Sequence, residues 1–369
     1  MNRRFVNLVT RNWAQGVYSL CRIDPCNFFY GSATAAREAA DEAAKKKESF
    51  PAMEMLQLPS PNMNFPATAM DMFALFTPSA TSEGRIVYAN PIGEADLYDA
   101  DKYAQISLGR LNAPKGFQPM CMSITHPGAD DDSMYILDRY PGNAAGQCFE
   151  VLEPMPMRRE LSRSMPPWRW RLLPPPPFIH QPGYVPSSVT SFTTMVDDRG
   201  CSTIYISCDH GIGTYSFETA HPDSTRYLGF KPSEEWSHVG DWKLPFNGRA
   251  QYVPEFKLWF GFLPFSPYHL CALDLSAMDH EGLPTEKLFW QDLNPPEGEV
   301  WHPIRLRLVR VGDGKFLIAK SFKAATGEKF AVLTGIEIVA GAGDDNSLQM
   351  VKHKCARFVF STESIEWVL

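Results

Sequence analysis

Six times along the chain an alternating apolar run turns back on itself within a few residues. These hairpins lie at 5–23, 85–99, 134–152, 203–217, 258–274 and 315–337, and five are followed by a short apolar run halted near Pro59, Pro114, Pro174, Pro245 or Pro295. The clearest copy is Cys201-Ser-Thr-Ile-Tyr-Ile-Ser-Cys208, the turn Asp209-His-Gly-Ile-Gly213, and the return Thr214-Tyr-Ser-Phe-Glu-Thr219. Strict alternation over such lengths is the period of a half-buried strand, and the glycines supply the reversal. Proline ends each unit because it cannot donate to a further ladder. With 25 glycines and 31 prolines, short strands joined by turns are expected over long helices.

A repeat of roughly fifty to seventy residues holding four short strands has the period of a β-propeller blade. A four-stranded antiparallel sheet that is apolar on both faces needs neighbours on both, and radial packing provides them. The expected fold is therefore all-β: a six-bladed β-propeller of four-stranded antiparallel blades, as one domain over residues 1–369. The strands of the C-terminal segment 356–369 should pair with the N-terminal hairpin 5–23, which leaves no open closing edge. A β-sandwich pair or two β domains are the competing architectures. Residues 53–58 read as the proline-closed strand after the first hairpin, and residues 241–245 as that after the fourth.

Two segments interrupt the pattern. Residues 31–50 are rich in Ala, Lys and Glu without a large apolar stripe, so they read as an exposed helical or disordered insertion. Residues 153–167, rich in Met, Pro and Arg, read as an exposed loop.

The net charge of -7 gives no general field for nucleic acid or an anionic membrane. Leu258 to Leu273 is poor in charge, but it contains Pro264 and Pro267 and alternates, which does not suit a membrane span. The eight cysteines include no C-x-x-C pair and no compact Cys/His cluster, so neither a zinc module nor another cofactor is expected. An intracellular protein, cytoplasmic or nuclear, is expected, because no secretory apolar region opens the chain. Arg3, Arg4, Arg11 and Arg22 precede the first acidic residue, Asp24, and leave a mitochondrial or chloroplast address as the alternative.

Several segments together carry a resemblance. They include Met1-Asn-Arg-Arg-Phe-Val-Asn-Leu-Val9, Glu83-Gly-Arg-Ile-Val-Tyr88, Pro174-Pro-Pro-Pro-Phe178, Gly240-Asp-Trp-Lys-Leu-Pro-Phe246, Leu258-Trp-Phe-Gly-Phe262 and Glu366-Trp-Val-Leu369. Over its full length the chain resembles a family of uncharacterised proteins expanded in grasses, catalogued as a plant domain of unknown function. That family is similar in outline to kelch-like and F-box-associated propellers. The sequence departs from both, having no Gly-Gly kelch pair, no Trp-Asp dipeptide and no F-box ahead of the first strand. The resemblance implies a propeller and carries no functional residue with it.

Chemistry-bearing motifs are few. Cys208-Asp209-His210 adjoin in sequence, whereas a nucleophile and its base must converge in space, so an ordinary hairpin turn is expected. Gly211 and Gly213 precede a strand and not the helix that a phosphate loop requires. Asp130 to Asp132 and Asp344-Asp345 lack the spacing of a calcium loop and read as solvated turns. Trp168 and Trp170 are expected to pack inward, leaving Arg169 and Arg171 as a solvated face. The set to inspect is His302, Arg305 and Arg307. Arg305 and Arg307 project from one face of the strand 304–311, expected to be innermost in its blade, and if that face lines the central channel two guanidiniums there could hold an anionic ligand or a partner's carboxylate. Pairing with acidic neighbours, or solvent, is the plainer role. The function expected is a monomeric, non-enzymatic scaffold that binds another protein; the alternative is a channel-mouth enzyme or carbohydrate-binding propeller.

Overall fold

The structure, a computed structural model, describes residues 3–66, 70, 72–76, 84–127, 132–142, 146–155, 168–219, 234–278, 282, 287–293, 295, 299–341 and 347–369. Most of the 153–167 loop, Asp130, Asp131, Asp344 and Asp345 lie outside the described residues. The fold is all-β, in several sheets of antiparallel strands, and the chain divides into two compact units. One comprises residues 1–68, 253–272 and 287–369; the other comprises 69–252 and 273–286.

In chain order the first unit opens with β1 (Val6–Asn12), β2 (Val17–Ile23), helix α1 (Ala33–Lys46), β3 (Met53–Met55) and β4 (Met63–Phe65). The second unit then supplies β5 (Met72–Leu75), β6 (Arg85–Ala89), β7 (Glu94–Asp99), β8 (Ala104–Arg110), β9 (Met120–Ile124), β10 (Ser133–Leu137), β11 (Phe149–Pro154) and β12 (Trp168–Leu172). It continues with β13 (Val189–Val196), β14 (Ser202–Cys208), β15 (Gly213–Glu218), β16 (Trp236–Gly240) and β17 (Asn247–Val253). The remaining strands are β18 (Leu258–Phe262), β19 (Leu270–Leu273), β20 (Lys287–Trp290), β21 (Trp301–Gly312), β22 (Lys315–Ala324), β23 (Lys329–Ala340), β24 (Leu348–Val359) and β25 (Glu363–Val368).

Within the second unit the sheets run β5-β6-β7-β8 and β12-β11-β10-β9, and β16-β15-β14-β13 continues into β17. The β10 run is buried at every residue, and its alternation explains why. Met134 and Ile136 pack with Val87 and Leu97, whereas Tyr135 and Leu137 pack with Ile204 and Phe217. A strand covered on both faces can be apolar throughout. The central hairpin pairs Cys208 with Gly213, as its sequence pattern requires.

In the first unit, β25 pairs with β1 through Leu8↔Val368 and Val9↔Trp367, within the sheet β25-β1-β2-β4. The expected pairing of the last strand with the N-terminal hairpin is therefore present. Residues 362–369 make it, whereas residues 356–359 belong to β24. Two other expectations are corrected. Met53–Met55 leaves the first sheet and pairs in parallel with β24, Cys355↔Met53, while β4 takes its place beside β2. Met53 thereby packs against the cluster of Trp301, Phe322 and Phe330. The strand after β15 is β16, through Tyr215↔His238, and residues 241–245 lie beyond it, with the Leu244 amide donating to Ser207 Oγ at 2.9 Å.

Residues 33–46 form a helix capped by Ser32, whose Oγ accepts from the Ala35 amide, and closed by Lys47 in the left-handed region. Its one buried residue is Ala36. No described helix is long and apolar enough to cross a membrane.

Candidate functional site

Strand β21 presents Arg305 opposite Ser321 and Arg307 opposite Ala319 on β22. Cross-strand partners share a face, so the two arginines look out over the small side chains of β22. The register slips between Pro303 and Arg305, which leaves Ile304 as an extra residue. That bulge returns His302, opposite Lys323, to the face that carries Arg305. The spacing 302, 305, 307 therefore shares one face, as a regular strand would not allow. His302 itself is exposed.

A second bulge supplies the carboxylate. On β25 the register slips between Val9 and Thr10, whose partners are Trp367 and Ile365, so Glu366 is the extra residue. Its side chain is 5% exposed and meets Arg305 Nη1 at 2.5 Å. Its other oxygen accepts from Ser364 Oγ at 2.6 Å, and Ser364 Oγ accepts from the indole N–H of Trp13 at 2.9 Å. The Arg11 guanidinium stacks 3.8 Å above the Trp13 ring. The relay runs from an exposed tryptophan, through hydroxyl and carboxylate, to a half-buried guanidinium.

Beside this pair lies a small recess of about 10 Å³, lined in part by Ala319, Ser321, Ala331 and Leu333. It exists because small side chains stand where Leu317, Val309 and Val311 fill the same sheet interface further along. Among the described residues lining it, the titratable ones are Arg305, Arg307 and Glu366. Arginine is a donor only, so the two guanidiniums are equipped to grip an anionic group. Arg307 Nη1 donates to the Leu306 carbonyl at 2.9 Å.

The other sequence motifs do not converge. Burial pushes the Cys208 thiol up to about 12. Asp209 is engaged by Lys243 at 2.9 Å, and His210 sits in the left-handed turn. No group of three or more potential metal ligands occurs among the described residues. Trp168 is buried as expected, but Arg171 is not simply solvated. It forks onto Glu234 at 2.7 and 3.0 Å while its Nε holds Glu153 at 3.0 Å, and Glu153 also takes Arg169.

Sequence reasoning missed Glu366, Ser364 and Trp13 as partners of Arg305. The segment 363–368 alternates well enough to be read as a strand, but its bulge has no compositional mark. It also missed the buried group in which Asp292 meets Lys320 at 2.7 Å, with His269 Nδ1 at 3.9 Å.

The family model described as "Protein of unknown function (DUF1668)" matches residues 3–358. The chain belongs to the DUF1668 family. No curated protein sequence matches this DUF1668 chain significantly. Among solved structures it is similar to apo AztD from Citrobacter koseri, at 10% identity and TM-score 0.39, over 96% of this chain and 90% of that one. It is also similar to an auxiliary nutrient binding protein from Bacteroides ovatus, at 12% identity and TM-score 0.39, over 84% and 69% of the two chains. A third is an alpha-L-arabinofuranosidase from Clostridium thermocellum, at 11% identity and TM-score 0.34, over 77% and 94%.

Proposed function

We propose that this DUF1668 protein is a non-catalytic scaffold of six propeller blades, and that it holds a protein partner by an acidic side chain laid against Arg305 and Arg307. The blade count is supported by five runs of four neighbouring strands, β5 to β8, β9 to β12, β13 to β16, β21 to β24 and β25-β1-β2-β4, with β18 to β20 as the start of a sixth. The observation that carries the binding role is the Arg305–Glu366 pair. The carboxylate, 5% exposed, fixes the guanidinium plane and leaves Arg305 28% exposed at the edge of the recess. A planar guanidinium held in this way loses little freedom on receiving a second carboxylate. His302 extends the same face toward solvent.

The test compares proteins captured by the wild-type chain with those captured by Arg307→Ala and by Arg305→Lys, which keeps a charge beside Glu366 but loses the planar fork. A partner set that drops about tenfold in both variants, and persists in the exposed Arg169→Ala control, is the expected result. Identical capture by all four proteins, or reproducible capture by none, would reject the proposal.

A further inference from the structure

The segment that joins β2 to α1 is laid across β23 and β24 in an unusual way. Its short 3-10 helix, Pro25–Phe28, brings the Phe28 carbonyl so close to β23 that a Cβ on Gly335 would stand 2.2 Å from that oxygen. Opposite Gly335 the ladder is bulged, since Thr334 pairs with Cys355 and Ile336 pairs with Lys352. Two residues, His353 and Lys354, therefore face one glycine, and the bulge re-aims the imidazole. The His353 side chain is fully buried.

Its two nitrogens have different partners. Nδ1 accepts the backbone N–H of Tyr30 at 3.1 Å, and Nε2 lies 3.1 Å from Glu337 Oε2. An amide nitrogen can only donate, so Nδ1 carries no proton; the neutral ring holds its proton on Nε2 and gives it to Glu337. Tyr30 lies two residues before the helix cap at Ser32, and Phe50 beyond the helix stacks on the Tyr30 ring at 6.4 Å. Both ends of the α1 insertion thus close on Tyr30. Elsewhere the helix is held by Ala36 and by Arg37 Nη2 donating to Gln349 Oε1 at 3.1 Å.

We propose that His353 is a proton-operated latch: uncharged, it holds Tyr30 and keeps α1 docked on β24; protonated at Nδ1, it releases residues 30–47 while the sheet beneath stays folded. Protonation places an N–H donor against the Tyr30 N–H donor, and the tie becomes a repulsion. The sheet side is spared because Glu337 accepts from Nε2 in both states. The charged groups facing the ring are Glu337 on β23, Lys315 on β22 at 3.8 Å from Glu337, and Lys354 on β24 at 5.3 Å from the Tyr30 ring. Lys315 disfavours a further positive charge, and Glu337 favours it. Burial, the largest influence, holds His353 below the ordinary imidazole value of 6.5, so the latch is closed at neutral pH and opens on acidification. Met53–Met55 remains paired with β24 and tethers the released loop.

Hydrogen–deuterium exchange on the full chain from pH 7.5 to 5, corrected for intrinsic rates, tests the latch. Protection of peptides within 30–47 should fall about tenfold per pH unit below the folded pKa, while the β22 peptide 315–324 stays protected. In His353→Gln, which has no titrating ring, that pH dependence should vanish, and in His353→Leu the segment should exchange fast at every pH. Unchanged protection of 30–47 in the wild type, or the same pH dependence in His353→Gln, would overturn the proposal. Should a variant fail to fold, NMR titration of the wild-type imidazoles decides: the His353 transition must coincide with loss of protection in α1, and a ring that titrates without it refutes the latch.

Discussion

Arg305 and Glu366 meet at 2.5 Å, each placed by a β-bulge on its own strand. The two partners are not equivalent. Removing Glu366 leaves a guanidinium that is 28% exposed and can turn to water; removing Arg305 strands a carboxylate that is 5% exposed. Urea unfolding should therefore rank Arg305→Ala as the more damaging change, at about 2–4 kcal/mol against about 1 kcal/mol for Glu366→Ala. Trp13 fluorescence should shift in Glu366→Ala, because Ser364, which holds the indole N–H, loses its acceptor. Equal costs, or the reverse order, would show that the pair is a surface contact.

What the chain discloses in advance is its alternation. The hairpin 203–217 could be read to its register because Ile204, Ile206, Tyr215 and Phe217 alternate with polar residues and the turn is marked by Gly211 and Gly213. Residues 363–368 could be assigned to the first sheet for the same reason, since they alternate and the N-terminal hairpin lacked a partner. Features that break the period were not legible. One extra residue at Ile304 or Glu366 leaves the composition unchanged, so the carboxylate that positions Arg305 stayed hidden. Residues 31–49 lack large apolar side chains, and the docking of α1 rests on one alanine, the Arg37–Gln349 hydrogen bond, a missing Cβ at Gly335 and a backbone amide. None of these carries a hydrophobic signature. Between Trp236 and Trp242, either could have marked the last strand of its sheet, and the closing strand proved to be the earlier one.

The buried group formed by Asp292, just beyond β20, and Lys320 on β22 should dominate acid unfolding. Asp292 is 1% exposed and Lys320 3%, and they approach at 2.7 Å, with the Leu270 amide donating to the other aspartate oxygen at 3.2 Å. Burial alone would raise the Asp292 pKa, but the His269 bond, the Lys320 charge and the Leu270 amide outweigh it and hold it below the ordinary 3.8. A depressed carboxylate stabilises the fold above its unfolded value, and that contribution is lost as pH falls through the folded pKa. Asp292→Asn should therefore cost about 3–5 kcal/mol at pH 7, since it leaves Lys320 buried without its counter-charge. Its stability should also fall less steeply than the wild type's below pH 3.8. The double variant Asp292→Asn/Lys320→Met should recover much of the loss in chemical denaturation. A double variant as unstable as the single would mean that the site tolerates no apolar replacement.

Thiol labelling distinguishes a reactive Cys208 from a structural one. Burial pushes the thiols of Cys208 and Cys148 up to about 12 and that of Cys21 up to about 11, whereas Cys26 and Cys201 are exposed. The thiolate is the reacting form, so access and ionisation act in the same direction. Iodoacetamide at pH 8 on the native protein should modify Cys201 first. Cys26 should follow, because its hydrogen bond to the Asp24 carboxylate raises its pKa. Peptide mapping should find Cys208, Cys148 and Cys21 unmodified over the same time. Early labelling of Cys208 would reopen the possibility that the Cys208, Asp209 and His210 turn performs chemistry.

The central hairpin allows conformational strain to be separated from collision. Gly211 and Gly213 both sit at positive φ, +74° and +83°, so alanine at either one is strained in the left-handed region. They differ in what a side chain would meet. At Gly211 a Cβ finds nothing within 4 Å, whereas at Gly213 it would stand 2.3 Å from the Gly240 carbonyl, on the neighbouring β16. Gly211→Ala should therefore cost about 1 kcal/mol, the backbone penalty alone. Gly213→Ala must also push β16 away from β15 at the pairing of Thr214 with Gly240, and should cost about 2–4 kcal/mol. Thermal or urea unfolding of the two variants measures the difference, and hydrogen exchange of residues 236–240 should quicken only in Gly213→Ala. Equal destabilisation with unchanged exchange in β16 would mean that the close approach at Gly240 is relieved without cost.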